Sequence, residues 1–126
     1  MLSLEDKKKT ITSLELLEQI NFFRWKEGRK TELHHYDLLK IIRDEFDEEI
    51  NQGKISVVTY KDKKGEERPL YILTYEQGKQ VLVRESKFVR KAVIEYIQKL
   101  ERSLDYLQNK RGHSVLFFLL VPFWLL

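Results

Sequence analysis

The chain of 126 residues carries 23 Lys and Arg against 20 Asp and Glu, a formal charge of +3, with 42% hydrophobic side chains. That is enough apolar material for one domain with its own core, and too little net charge for whole-molecule attraction to a polyanion, so ionic recognition has to come from local clusters. Cysteine is absent, which excludes disulfides and thiolate metal sites, and the charged first ten residues lack the apolar stretch of a secretory signal, so the expected location is the cytoplasm.

Residues 1–10, with Lys7, Lys8 and Lys9 in succession, read as a flexible solvated arm ahead of a domain over 11–109. Thr12-Ser13-Leu14-Glu15 has the capping-box pattern, in which hydroxyl and carboxylate satisfy each other's orphan N–H groups, so a helix is expected from there to about Gly28. The connection that follows is the densest positive stretch of the domain: Arg24, Lys26, Arg29 and Lys30 against Glu27 alone. Thr31 is a candidate cap for a second helix running to about Ile50. Projected at the helical period, His35, Leu38, Leu39, Ile42, Phe46 and Ile50 share one side as a core stripe, with Leu33, Tyr36, Asp37, Lys40 and Asp44 facing away.

Asn51-Gln52-Gly53 ends that helix, and two short β-branched runs follow, over about 55–60 and 70–74. Asp62-Lys63-Lys64-Gly65 supplies turn residues between them, and a connection this long is expected to project as a flexible tip. Pro69 at the start of the second run is tolerated because no ladder donor is needed there. Thr74-Tyr75-Glu76-Gln77 starts a short helix to about Val83. A long one over about 86–109 carries Phe88, Ala92, Val93, Tyr96, Ile97, Leu100, Leu104 and Leu107 at threes and fours. Ile97, Leu100, Leu104 and Leu107 keep a/d spacing for two heptads, which leaves two readings open: packing on the chain's own domain, or the seam of a homodimer.

Taken together, Thr12-Ser13-Leu14-Glu15, then Arg29-Lys30-Thr31-Glu32-Leu33-His34-His35, then Tyr60-x-Asp62-x-x-Gly65-x-x-x-Pro69-x-Tyr71-x-Leu73-Thr74 resemble phage regulatory proteins of the Rha type, over about residues 12–101. The resemblance implies an α+β winged helix-turn-helix, with the β-hairpin as wing, acting as a transcription regulator in phage or prophage. Relatives of that type often continue into a further C-terminal region, and nothing after Asn109 resembles one.

On that reading the second helix enters the major groove and nearby cations grip phosphates. Arg29 and Lys30 become phosphate anchors; His34, Tyr36 and Lys40 occupy the first outward turns; Lys61, Lys63 and Lys64 sit at the wing tip beside Asp62, Glu66 and Glu67. Against DNA stand five acids in six residues, Asp44-Glu45-Phe46-Asp47-Glu48-Glu49, which would repel phosphates and oppose the dipole at a helix C-terminus. They carry the competing reading, a module that engages a repressor protein in the manner of an antirepressor. Arg84, Lys87, Arg90 and Lys91 form a second basic cluster that either meets phosphate or pairs with those acids.

His34 and His35 are adjacent, and neighbours on a helix cannot both point at one ion, so His35 is expected to turn toward the core as a neutral imidazole bonded to backbone. No Ser lies in a nucleophile elbow and no Gly cluster cradles phosphate, so neither catalysis, nor a cofactor, nor a small-molecule substrate is expected. After His113 the chain is uncharged for thirteen residues, SVLFFLLVPFWLL, about 20 Å as a helix against a hydrocarbon core of about 30 Å. That tail over 110–126 is therefore expected neither to span a membrane nor to serve as a membrane contact, and it reads as a substitute for a missing continuation.

Overall fold

The computed structural model describes residues 9–29 and 31–110. Lys30, most of the expected arm and the apolar tail from Arg111 onward lie outside the described residues. In chain order come β1 (Thr10–Thr12), α1 (Ser13–Lys26), α2 (His35–Glu45), α3 (Asp47–Asn51), β2 (Ser56–Lys61), β3 (Glu67–Thr74), α4 (Tyr75–Gln80), a 3₁₀ turn (Val81–Arg84) and α5 (Lys87–Lys110). The class is α+β: the described residues hold five α-helices and one antiparallel sheet of three strands in the order β1-β3-β2. Among them no helix is long and apolar enough to cross a membrane.

β1 was not expected. Its Thr-Ile-Thr pairs Thr10 with Thr74 and Thr12 with Ile72, and it sends Ile11 into the core with no exposure. Thr12 therefore closes a strand and caps a helix at once. Its hydroxyl accepts from the Glu15 N–H at 3.1 Å and lies 3.3 Å from the Glu15 carboxylate. The reciprocal capping box forms instead at Thr74, which exchanges bonds with Gln77 at both backbone N–H groups to start α4.

α1 ends in a Schellman closure: Arg29 N–H bonds Arg24 C=O, Gly28 N–H bonds Trp25 C=O, and Gly28 takes φ +94°. Residues 31–34 form no helix, His34 is extended, and α2 starts at His35 rather than at Thr31. The reason lies far off in sequence. The Asn21 side chain accepts from the Leu33 N–H at 2.7 Å and donates to the Leu33 C=O at 2.9 Å, a two-bond clamp like a rung of a sheet. Leu33, expected to face outward, is thereby turned onto the core as a half-buried contact.

The expected single helix also breaks. At Phe46, φ −124° and ψ 34° leave the helical region, the ring is buried, and α3 restarts at Asp47. Asp47, Glu48 and Glu49 consequently sit in a first turn, where the dipole favours acids, instead of in a last turn, where it opposes them. Leu38, Leu39 and Ile42 of α2 fill the core as the periodicity predicts. On α5, Val89, Val93 and Ile97 are fully buried, whereas Phe88 is 47% exposed and does not belong to the stripe.

α1 and α5 are joined by a buried ion pair. Arg24 Nε and Nη2 donate to the two Glu85 carboxylate oxygens at 2.8 and 2.7 Å, and Arg24 Nη1 reaches the Thr31 C=O at 3.4 Å. The Ser86 hydroxyl meets the Glu27 carboxylate beside it and accepts from the Val89 N–H, which caps α5. Arg24→Met strands a Glu85 side chain that is 4% exposed. The expected loss is about 3 kcal/mol of unfolding free energy, measured by urea denaturation. Replacing both partners by Met is expected to recover most of it; a double variant as unstable as the single one would show that the pair is not the anchor.

Candidate nucleic-acid interface

α2 presents one continuous exposed stripe. Tyr36 is 63% exposed, Lys40 holds its Nζ 4.5 Å over the Tyr36 ring, and Arg43, exposed and without an ion pair among the described residues, continues the line at i, i+4, i+7. Arg43 was not singled out in the sequence because it abuts the acidic run. The acid nearest to it in that run, Asp44, faces Arg84 at 3.5 Å. That is the one ion pair among the described residues between the acidic run and the second basic cluster, and Lys87, Arg90 and Lys91 make none.

His34 is the exposed N-cap of α2 and gives no side-chain cap bond. Arg29 is half-committed to the interior: its side chain is 40% exposed, and Nη1 lies 3.9 Å from Glu85 Oε1. It is therefore a poorer anchor for an external phosphate than its sequence context implies.

The hairpin tip is built, not loose. The Asp62 carboxylate accepts from the N–H groups of Lys64 and Glu66 at 2.9 and 3.0 Å, and Gly65 N–H bonds the Asp62 C=O. Arg68 pairs with Asp62 at 3.2 Å and with Glu66 at 2.7 Å. The Glu66 backbone bond and then the Arg68 contact hold the Asp62 carboxyl below its ordinary range. This pairing uses two of the three acids near the tip and leaves Lys61, Lys63 and Lys64 exposed, without ion pairs among the described residues.

His35 joins the two basic surfaces. Its Nε2 lies 2.9 Å from Ser13 Oγ, its Nδ1 lies 3.3 Å from the Tyr60 hydroxyl, and the two rings meet edge to face with centroids 5.8 Å apart. Ser13 is fully buried and accepts from the Tyr71 N–H at 3.1 Å. The ring is thus turned inward as expected, but its partners are side chains and not backbone. It also diverges from the exposed His34.

Of the candidate dimer residues, Ile97 is completely buried, Leu100 and Leu104 are half-buried against the same core, and Leu107 is half-buried. Ile97 is therefore spent inside the domain and is out of reach of a second copy. A patch that sequence reading missed lies on α1: Phe22 and Trp25 are 45% and 70% exposed with ring centroids 6.2 Å apart, and Lys26 Nζ lies 5.2 Å from the Phe22 centroid. Projected at the helical period, both fall on the side of α1 opposite the buried Leu16 and Ile20.

No protein-family model, curated protein or solved structure matches this chain.

Burial holds the pKa of His35 below its ordinary 6.5. In the unfolded chain the imidazole takes up a proton near that pH, while the folded chain resists it. Stability from this group is therefore complete above 6.5 and falls as pH drops below it, until the folded pKa is passed. Between about pH 7.5 and about pH 5.5, the urea midpoint of His35→Gln is expected to fall less than that of the unaltered chain. An equal fall in both would place the acid sensitivity elsewhere.

Proposed function

We propose that this chain is a winged helix-turn-helix that binds duplex DNA, with α1 and α2 as the helix pair, α2 in the major groove and the β2–β3 hairpin as the wing. The observation that carries this is the His35–Tyr60 contact, which brings the base of the hairpin's lysine-rich tip beside the exposed end of α2. That contact links the helix that carries Tyr36, Lys40 and Arg43 to the hairpin that carries Lys61, Lys63 and Lys64, and none of these five cations has an acid partner among the described residues. The sheet order β1-β3-β2, with the helix pair inserted between β1 and β2, is compatible with the arrangement.

As a cylinder about 10 to 12 Å across, α2 fits a groove about 12 Å wide. Lys40 and Arg43 have the chemistry to meet guanine O6 and N7 or phosphate, and the wing lysines suit the backbone. The Rha-type resemblance supports the further reading, a phage or prophage transcription regulator.

A second reading, engagement of a basic repressor protein, is supported by α3, where Asp47 and Glu48 are exposed and make no ion pair. The two readings separate in one experiment. With five cations engaged, affinity for a random-sequence duplex is expected to fall with salt at a log–log slope of about −4. Lys40→Glu with Arg43→Glu is expected to flatten that slope by about 2 and to weaken binding at every salt concentration. Asp47→Lys with Glu48→Lys is expected to leave binding intact or strengthen it. No binding at about 50 mM salt would remove the DNA reading.

A further inference from the structure

We propose that His35 is the positioning residue of the wing: neutral, it locks the hairpin to the start of α2, and protonated, it lets the hairpin go. The consequence for DNA rests on the duplex-binding reading above; the lock itself does not.

The hydrogen-bond roles follow from one backbone group. The Tyr71 N–H can only donate, so Ser13 Oγ accepts it at 3.1 Å and has its own hydrogen left to give. The oxygen keeps a second lone pair, but the only acceptor for its hydrogen among the described residues is His35 Nε2 at 2.9 Å, so the arrangement that satisfies every group leaves Nε2 with a lone pair. The ring proton therefore sits on Nδ1 and is donated to the Tyr60 hydroxyl at 3.3 Å. One chain of bonds runs from β3 through α1 and the first residue of α2 to β2. A second proton on the ring puts a hydrogen on Nε2, facing the Ser13 hydroxyl hydrogen. Ser13 is completely buried, so turning its O–H away to accept from Nε2 strands that hydrogen without an acceptor, and the doubly protonated ring is disfavoured where it lies.

What the ring holds is the outer hairpin. Along β2, residues Ser56, Val57, Val58, Thr59 and Lys61 are all exposed, and Tyr60 alone is withdrawn from solvent. Across the ladder its partner Arg68 is exposed, as are Glu67 and Pro69, and β3 enters the core only at Leu70. Tyr60 is thus the outer hairpin's attachment to the helices, one residue before Lys61 and two before the Asp62 that builds the turn. The groups facing the ring are Ser13 from α1, Tyr60 from β2 and, through Ser13, the Tyr71 amide of β3. Burial makes the ring reluctant to take a proton.

The test uses the full chain labelled with ¹⁵N, with His35→Gln and Tyr60→Phe for comparison. Gln keeps an acceptor for Ser13 and a donor for Tyr60 but does not titrate; Phe removes only the hydroxyl. The imidazole nitrogens are expected to report the Nδ1–H tautomer at neutral pH, and the amides of residues 59–61 to shift with the same midpoint as His35, below 6.5. In His35→Gln those amides are expected to stay still. An Nε2–H tautomer, or amides indifferent to the His35 titration, would overturn the proposal.

Salt-dependent binding to a random duplex then reads the consequence. Between about pH 7.5 and about pH 5 the slope is expected to flatten by about 2 to 3 as the wing lysines disengage, to stay constant in His35→Gln, and to be reduced by the same amount at both pH values in Tyr60→Phe. A slope that steepens on acidification means that the added charge of the imidazolium outweighs any release, and overturns the coupling. A chain that binds no DNA yet shows the coupled amide titration refutes the duplex reading and supports the lock.

Discussion

A carboxylate with 4% of its side-chain surface exposed has to be neutralised where it lies, and much of this fold follows from how Glu85 is satisfied. Arg24 meets it with two parallel bonds, so the last turn of α1 is fixed against the junction of the 3₁₀ turn and α5, sixty-one residues away. The same guanidinium reaches the Thr31 carbonyl, and Arg29 approaches from the other side. The connection between α1 and α2 is therefore held at two points, Arg29 and Thr31, by one charge pair, and the Asn21 clamp on Leu33 finishes the path. Where α2 begins is a consequence of that path and not of local helix preference.

The opposite end of α1 carries a second anchor of a different kind. Ser13, buried in the first turn, ties the Tyr71 amide to His35, and His35 ties on Tyr60. One helix thus positions α2 through its end and the hairpin through its start, by charge in one place and by neutral hydrogen bonds in the other. The two devices respond differently to solution conditions. Arginine keeps its charge at any accessible pH, whereas an imidazole changes charge within the physiological range.

Local periodicity carried what depends on near neighbours. The α2 stripe of Leu38, Leu39 and Ile42, the Thr74–Gln77 box and the two hairpin strands could all be read from spacing, because each is decided within a few residues. What escaped depends on partners far along the chain. Thr31 has the look of a helix cap, but Asn21 captures Leu33 and delays the helix. Thr10–Thr12 is too short to be read as a strand, and its register partners lie more than fifty residues on. Phe46 fits a continuous stripe, yet burying its ring requires a break in the backbone. Arg43 was hidden by the acids beside it, and the wing tip was expected to be loose because nothing local to Asp62-Lys63-Lys64-Gly65 announces that Arg68 folds back onto it.

The central claim is spatial: the exposed stripe of α2 and the hairpin tip form one surface for duplex DNA, and α3 does not belong to it. Titrating ¹⁵N-labelled chain with a random-sequence duplex at low salt and following backbone and side-chain shifts reads that surface directly. The account predicts the largest changes at Tyr36, Lys40 and Arg43 and over residues 61–64, with Asp47 and Glu48 unmoved. Changes concentrated on α3, or on the Phe22 and Trp25 patch of α1, with the α2 stripe still, would contradict it.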